Sequence, residues 1–420
     1  MRWIAILLAL GCSACLRSAG AFSCDSHDDC ARGGTVGICE LVGYCSFDDP
    51  ACAGGRRFGD LSGPYSNQCV DGTVVDAASI DSPPGSLCVG VAPYIVCVPP
   101  PSAAVTLTGS INTGTSTLCA TAQPAEWMSA GQPAACFIVG TTITVGGTVT
   151  FTGSRPLVLV ASESITVSGT LDASSHRGGA AAPGAPSTSC KAFVQAPGNE
   201  VNGAAGGAGA SFMSKGGDGG DGAAALVHGI APTADATAPT KLRAGCSGQR
   251  GGTGDGGAAA NPGIGGGAVY LASAGTITIS GTINASGAGT LANADTSTRA
   301  GGSGGGSGGM IKLHATTIVS TGGRLLVNGG GGASGANQSS GGNPGSDPAI
   351  ATPTTPAVGG ASLGNSGAGG DGFAGGAPAT NATAGTGSTG GGAGGGGGGY
   401  VQSNLPLSAA TVSAGRVDDP

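Results

Sequence analysis

Short stretches in which β-branched and polar residues alternate recur along the chain. Four of them begin at Ile143 (ITVGGTVTFTGS), Ile165 (ITVSGTLDASS), Ile277 (ITISGTINASG) and Ile318 (IVSTGGRLLVNGG), and a degenerate fifth copy begins at Tyr400 (YVQSNLPLSAATVSAGRV). Three copies follow a second apolar stretch, PLVLVAS, GAVYLAS or MIKLHAT. A period of two is typical of strands with one buried face, and the intervening glycines and serines are typical of turns. Each copy is therefore predicted to contain three short strands joined by tight turns.

The spacing of these copies predicts how they pack. Where nothing is inserted they follow one another at about 20 residues, which is typical of a solenoid. One unit has too little apolar surface to fold alone, so stacking should align Ile143, Ile165, Ile277 and Ile318 on the inside, with the threonines outward. The sequence thus predicts an all-β fold, a parallel β-helix over residues 105–420. An antiparallel sandwich of similar strands is the alternative.

Long glycine-rich tracts interrupt the repeats, always just after LDAS, INAS or LVNG. They cover residues 174–265 (the first insertion), 287–308 (the second) and 329–398 (the third). Insertions at one corner should put this material on one flank, where its composition favours a displayed, brush-like surface. Triplet runs such as GGDGGDG favour partial order, because they suit packed polyproline-II-like segments.

Composition excludes several other classes of protein. Glycine supplies 88 of the 420 residues, which argues against helical folds because each glycine inside a helix costs about 1 kcal/mol relative to alanine. The glycines have no strict G-X-Y period, so collagen is excluded. With 16 Lys plus Arg against 23 Asp plus Glu, the chain is acidic, and no nucleic-acid partner is expected.

Cysteines define a predicted disulfide-rich, acidic domain at residues 16–98, followed by a proline-rich linker at 99–104. Such density in an exported chain indicates a disulfide framework, and no C-x2-C pair supports a zinc site. The pairing within this domain stays open. Two further pairs are expected in the β-helix, Cys119 with Cys136 and Cys190 with Cys246. The candidates for disulfide bonding in the head are Cys24, Cys30, Cys39, Cys45, Cys52, Cys69, Cys88 and Cys97.

The first residues are typical of an export signal, with Arg2 before an apolar run and then small residues and two cysteines. Residues 1–15 are expected to be a signal peptide with a lipobox-like site at Cys15 or at Cys12. Parity favours Cys15, because twelve cysteines follow it and can all pair. Ordinary cleavage after residues 19–21, giving a secreted protein, is the alternative.

One polar cluster deserves chemical consideration, namely Asp172 with His176 and Arg177 in LDASSHRGG. Ser174 or Ser175 with His176 would form a nucleophile and base, but residues this close in a turn rarely form a triad, and turn hydrogen bonding is the expected role. Polysaccharide-degrading enzymes on β-helices need carboxylates clustered on adjacent coils, whereas these repeats carry threonine and serine. We therefore expect no catalytic residue, no metal and no cofactor.

The succession of signal, acidic head (GICELVGYCSFDDPACAGGRRFGDL) and LVLVASESITVSGTLDASSHRGG resembles the glycine-rich surface lipoproteins of myxobacteria, and the repeats are similar to the β-helical shafts of bacterial adhesins. The resemblance implies an outer-membrane or extracellular location, and the lipobox-like cysteine implies a membrane contact through a lipid anchor. The shared corner of the insertions favours a structural or adhesive role at the cell surface, with extracellular polysaccharide or other surface proteins as the expected partners. A polysaccharide-binding or polysaccharide-degrading β-helix protein is the alternative.

Overall fold

The computed structural model describes residues 22–24, 27–32, 35–40, 43–52, 54–70, 86–255, 257–293, 299–337, 339–407 and 409–420. The predicted signal segment, with Cys12 and Cys15, lies outside these residues. Contacts between residues divide the chain into two units, Met1–Pro83 and Pro84–Pro420.

The described part of the smaller unit consists of short strands held by disulfides. Its strands are β1 (Ala31–Arg32), β2 (Thr35–Val36), β3 (Ile38–Cys39), β4 (Cys45–Asp48) and β5 (Arg56–Phe58), with 3-10 turns at His27–Cys30 and Gly63–Tyr65. Strands β3, β4 and β5 form an antiparallel sheet. The disulfides join Cys24 to Cys39, Cys30 to Cys45 and Cys52 to Cys69. These disulfides stabilise a segment that is too small to bury a large apolar core.

The larger unit begins with an antiparallel hairpin of β6 (Leu87–Val89) and β7 (Val96–Val98), closed by the Cys88–Cys97 disulfide. The hairpin side chains Val89, Tyr94, Val96 and Val98 are buried in a cluster with Trp127 and Tyr270. The division between units therefore precedes the hairpin, whereas the proline run suggested a boundary at residue 98. The prolines lie within the larger unit, because the hairpin that precedes them contributes side chains to its core.

The remaining strands form one curled sheet in which every pairing is parallel. In chain order they are β8 (Val105–Asn112), β9 (Cys136–Thr152), β10 (Leu157–Val167), β11 (Thr170–Asp172), β12 (Ala268–Ser273), β13 (Thr276–Ile279), β14 (Thr282–Asn284), β15 (Met310–His314), β16 (Thr317–Val319), β17 (Arg324–Leu326), β18 (Tyr400–Ser403), β19 (Thr411–Ser413) and β20 (Arg416–Asp418). A five-residue helix, α1 (Ala125–Ser129), lies between β8 and β9. The antiparallel sandwich is thus excluded for this sheet.

The chain passes through three parallel ladders in a fixed order. The first ladder stacks the beginnings of β9 and β10 with β12, β15, β18 and β20. The second stacks the beginning of β8 and the middle of β9 with the end of β10, β13 and β16. The third stacks the ends of β8 and β9 with β11, β14, β17 and β19. All three insertions join the third ladder to the next strand of the first, as the sequence predicted.

The predicted isoleucine ladder is confirmed. Ile143, Ile165, Ile277 and Ile318 are consecutive partners in the second ladder. The first three are fully buried, and Ile318 is partly buried at the edge of the same core. Burying a side chain of this size contributes about 1.5–3 kcal/mol, so stacking supplies the apolar burial that a single repeat lacks.

The outer face of the first ladder is buried as well. Phe137, Val158 and Tyr270 are neighbours on this face, and the ring of Trp127 packs edge-on to Phe137 and stacks on Tyr270. Side chains of the first insertion, including Phe212 and Leu242, complete this second cluster. The first ladder therefore lies between two apolar layers, which explains its nearly continuous apolar sequence.

The glycine tracts are hydrogen-bonded to one another with a three-residue period. The segment 390–399 of the third insertion shows the pattern most completely. One set of its N–H groups donates to the first insertion: Gly391 to Ala204, Gly394 to Gly207 and Gly397 to Ala210. The set one position earlier donates within the third insertion: Gly390 to Ala336, Ala393 to Ala333 and Gly396 to Gly330. A third set of N–H groups also donates to residues of the third insertion: Gly392 to Thr383 and Gly395 to Thr380. Three residues per turn with no internal bonds is the geometry of polyproline II, which confirms the packed segments predicted from the triplet runs.

Glycine is required here by the close approach of backbones. A Cβ on Gly206 would overlap the carbonyl oxygen of Gly392, and one on Gly394 would overlap that of Gly217. These glycines are buried, so the expectation of a displayed brush was wrong. Composition alone suggested it because glycine has no side chain to bury, whereas the tracts bury their backbones against each other.

Candidate functional site

The most elaborate polar cluster lies where the third ladder passes into the first insertion. Asp172 ends β11 and is the ladder partner of Asn284 at the end of β14. The Asn284 side-chain amide donates to Asp172 Oδ1 at 3.2 Å, and the Ser174 hydroxyl donates to the same oxygen at 2.6 Å. The side chain of Asp172 is only 9% exposed. The sheet therefore fixes this carboxylate, and the turn after it satisfies its oxygens.

His176 lies between two carboxylates. Its Nε2 is 3.0 Å from Asp172 Oδ2, and its Nδ1 is 3.8 Å from Asp347 Oδ2. Asp347 belongs to the third insertion, and its Oδ1 also accepts the backbone N–H of Gly289 from the second insertion at 2.8 Å. All three insertions therefore meet at this cluster, which we call the histidine clamp: Asp172, Ser174, His176, Arg177, Gly289 and Asp347.

The charges of the clamp are fixed by these contacts. The hydrogen bond that His176 donates to Asp172, and then the nearby carboxylate of Asp347, raise the pKa of His176 to about 10, although burial opposes protonation. Burial favours the neutral form of Asp172, but hydrogen bonds from His176 and Ser174 outweigh it and lower the pKa of this carboxyl. The pKa of Asp347 is lowered in the same way, by His176 and by the backbone N–H groups of Arg177 and Gly289. At neutral pH the clamp is an imidazolium between two carboxylates.

This arrangement does not provide a nucleophile and base. A histidine that activates serine must be neutral and must accept the hydroxyl proton, whereas His176 is protonated and the Ser174 hydroxyl donates to Asp172. Ser174 is also buried, and the Ser175 hydroxyl donates to the carbonyl of Gly265 at 2.7 Å. The geometry supports the role in turn hydrogen bonding that the sequence predicted for these side chains.

Two carboxylates converge here, as a glycosidase would require, but their ionisation does not fit that reaction. Hydrolysis by a carboxylate pair needs one carboxyl to remain protonated and act as the acid. Asp172 and Asp347 are both held ionised by His176. The clamp therefore neutralises its carboxylates instead of dividing them into an acid and a base.

A second polar group lies on the outer face of the first ladder, where sequence analysis predicted nothing. Lys312 is 5% exposed and lies between Tyr270 and Gln402, its partners on the adjacent strands. Its Nζ is 4.3 Å from the centre of the Tyr94 ring and 2.6 Å from Gln402 Oε1. The only signal in the sequence was a lysine within an otherwise apolar strand, MIKLH.

Basic side chains line two adjoining surface cavities of the larger unit. One cavity of about 300 Å³ and another of about 450 Å³ share Ser189, Lys241 and Arg243 in their linings. Lys191 lines the larger one, and Asp235 there pairs with both Lys191 and Arg243. Lys241 is exposed and forms no ion pair with any residue that the structure describes. The cavities together present a cationic surface on an acidic protein.

The remaining candidate residues are cysteines, and the described ones form six disulfides. The predicted pairs Cys119–Cys136 and Cys190–Cys246 are present. Within the described ranges, the one group of three possible metal ligands is Cys24, Cys30 and Cys45. All three sulfurs are in disulfides, so none is free to bind a metal as a thiolate. The lipidation candidates Cys15 and Cys12 lie outside the described residues.

Six disulfides are typical of a protein that matures in an oxidising compartment. No helix in the described part of the chain has the length and apolar character needed to cross a membrane. No family model matches the chain, and neither a curated protein nor a solved structure matches it significantly.

Proposed function

We propose that the chain is an exported structural or adhesive protein of the cell surface, built on a parallel β-helix and held to the membrane by a lipid on Cys15 or Cys12. In this proposal the three ladders are the sides of a closed helical coil, and the protein catalyses no reaction. The observation that carries the proposal is the bonding among the insertions: backbone hydrogen bonds join Gly391, Gly394 and Gly397 to residues nearly two hundred positions earlier in the chain.

Such bonding favours a durable scaffold. Each glycine segment is held by several others, and disulfides close the first insertion and the start of the sheet. The histidine clamp joins the three insertions, and its hydrogen bonds leave none of its side chains free to act as a nucleophile. These features support mechanical and proteolytic resistance, which an exposed surface protein needs.

The location can be tested by exporting the full chain from a bacterial host that lipidates proteins. We expect incorporation of a fatty-acid analogue, its loss in Cys15→Ser but not in Cys12→Ser, and digestion of the chain when protease is added to intact cells. Label lost only in Cys12→Ser would move the anchor to that residue. Unlabelled protein with free thiols in the cytoplasm would refute the proposal.

The cationic cavities favour a second candidate function, binding of an acidic extracellular polysaccharide. Carboxylate or sulfate groups on such a polymer would pair with Lys241, whose charge is otherwise uncompensated among the described residues. Pull-down with a purified acidic polymer should succeed for the natural chain and weaken in Lys241→Gln, with Lys215→Gln as the control because Lys215 is paired with Asp218. Equal capture of a neutral polymer would exclude this function.

A further inference from the structure

Lys312 is a lysine that is buried on the outer face of the first ladder, where it is 5% exposed. Buried lysines normally have a carboxylate partner, because an isolated ammonium is costly to remove from water. Among the described residues no carboxylate lies within ion-pair distance of Lys312. Its neighbours are instead the rings of Tyr94 and Tyr270, at 4.3 and 5.8 Å from Nζ to the ring centres.

Burial makes this amine easier to deprotonate than that of an exposed lysine. Burial lowers the pKa of Lys312 to about 8. The other ionisable groups that face it are uncharged at neutral pH: burial raises the pKa of Tyr94 and of Tyr270, and burial together with Lys312 lowers that of His314. A lysine of this kind has a usable fraction of free amine near pH 8, and the free amine is a nucleophile.

The hydrogen-bond partner of this amine is an electrophile. Lys312 Nζ is 2.6 Å from Gln402 Oε1, and the amide carbon is one bond behind that oxygen. The two residues are partners on adjacent parallel strands, so the sheet holds the amine and the amide together. Proximity fixed by a scaffold lowers the entropic part of a reaction barrier. The next residue along this face is Asp418, whose carboxylate accepts hydrogen bonds from Tyr400 and Arg416 instead.

A buried tyrosine hydroxyl lies near Lys312. Tyr270 Oη is buried and has no hydrogen-bond partner among the described residues. A Cβ on Gly90, which has φ of +101°, would lie 2.6 Å from this oxygen, so the hairpin closes directly over it. A buried hydroxyl without a partner is uncommon in a folded protein. The ring that carries this hydroxyl has its centre 5.8 Å from Lys312 Nζ, so the hydroxyl and the amine are buried near each other.

We propose that Lys312 and Gln402 join in an intramolecular amide cross-link. The neutral amine attacks Cδ of Gln402, the new C–N bond forms, and the bond from Cδ to Nε2 breaks. The proton that Lys312 loses is matched by the proton that the leaving nitrogen gains, so the products are one secondary amide and one ammonia. The step needs no oxidant, reductant or metal. It would tie β15 to β18 across the whole of the third insertion.

Mass spectrometry of the full exported chain, reduced and denatured, tests this directly. We expect a mass lower than that of the processed sequence by one ammonia. Trypsin should leave Lys312 uncut and release a branched product joining residues 300–324 to residues 325–416. If conversion is incomplete on isolation, it should advance faster at pH 9 than at pH 6, because only the free amine reacts.

Three variants make the result decisive. Lys312→Met and Gln402→Met should each regain the mass of their full sequence and lose the branched product, and circular dichroism establishes that they fold. Lys215→Met, which alters an exposed lysine, should keep both signatures. A chain of unaltered mass after prolonged incubation at pH 9, or an ammonia loss confined to one unbranched peptide, would overturn the proposal.

Discussion

Arg177 and Asp347 are 170 positions apart, yet the backbone N–H of Arg177 donates to both carboxylate oxygens of Asp347 at 3.1 Å. The same carboxylate accepts the N–H of Gly289 and lies beside His176. One side chain of the third insertion thus bonds both other insertions. Its loss should loosen their association without affecting the apolar core of the ladders.

Replacing Asp347 by alanine should therefore destabilise the larger unit by about 2 kcal/mol, because two backbone donors and His176 lose a charged acceptor. Urea unfolding followed by the fluorescence of the buried Trp127 measures this change. Asp371→Ala is the comparison, since Asp371 Oδ1 accepts a single N–H, from Gly359, and pairs with no described cation. An equal effect of the two substitutions would contradict the role of Asp347.

The histidine clamp predicts a dependence of stability on pH. The pKa of His176 is about 10 in the folded chain against 6.5 without the fold, so its stabilising effect is complete below pH 6.5 and disappears as the pH rises through about 10. The difference in unfolding free energy between the natural chain and His176→Gln should thus shrink over this interval. Urea unfolding at a series of pH values measures it. A difference that stays constant would show that the imidazolium does not stabilise the fold.

The close packing of the glycine segments predicts opposite outcomes for two substitutions of the same kind. Gly206→Ala should cost about 3 kcal/mol or more, since its methyl group would overlap the backbone of Gly392 and neither backbone has room to move. Gly146→Ala should change stability by less than about 0.5 kcal/mol, because no atom lies within 4 Å of the added carbon. Thermal unfolding of both variants is the measurement. Tolerance of Gly206→Ala would contradict the packed arrangement.

The isoleucine ladder predicts that replacing its members will lower the stability of the fold by different amounts, according to how deeply each is buried. Ile277→Ala removes a fully buried side chain and should cost about 2–5 kcal/mol. Ile318→Ala alters its partly buried neighbour in the same ladder and should cost roughly 1 kcal/mol, since less apolar surface is lost from the core. Equal losses in urea unfolding would show that the two positions are buried alike.

The length of the loop that a disulfide closes predicts how much the disulfide stabilises the fold. Cys190 and Cys246 are 56 positions apart, and cross-linking a loop of this length stabilises by about 4 kcal/mol through the entropy of the unfolded chain. The double variant Cys190→Ser/Cys246→Ser should lose about this much. The Cys119–Cys136 disulfide closes a shorter loop of 17 positions, so the double variant Cys119→Ser/Cys136→Ser should lose about 3 kcal/mol. A smaller loss for the longer loop would indicate that the first insertion stays compact when unfolded.

The ladders could be predicted from the sequence because a pattern of neighbouring residues marks each strand. Alternation around Ile143, Ile165 and Ile277 defined the strands, and the common position of the insertions defined the corner from which they leave. The contact of His176 with Asp347 and that of Lys312 with Tyr94 could not be found in this way. Asp347 is one of two widely separated acidic residues inside a glycine tract, and Tyr94 precedes the proline run that suggested a domain boundary. Both contacts are set by tertiary packing, for which a single sequence contains no periodic signal.

The three-residue period of the glycine segments restricts how this gene can change. In segment 390–399 the N–H groups from Gly390 to Gly397 donate in turn to three neighbouring segments, 330–336, 204–210 and 380–383, according to their position in the three-residue period. Deleting one or two residues would turn every later N–H towards the wrong neighbour and would place alanines where only glycine fits. Losing three residues restores the pattern. The length of these tracts should therefore evolve in whole turns, so that variants of this protein differ in tract length by multiples of three residues.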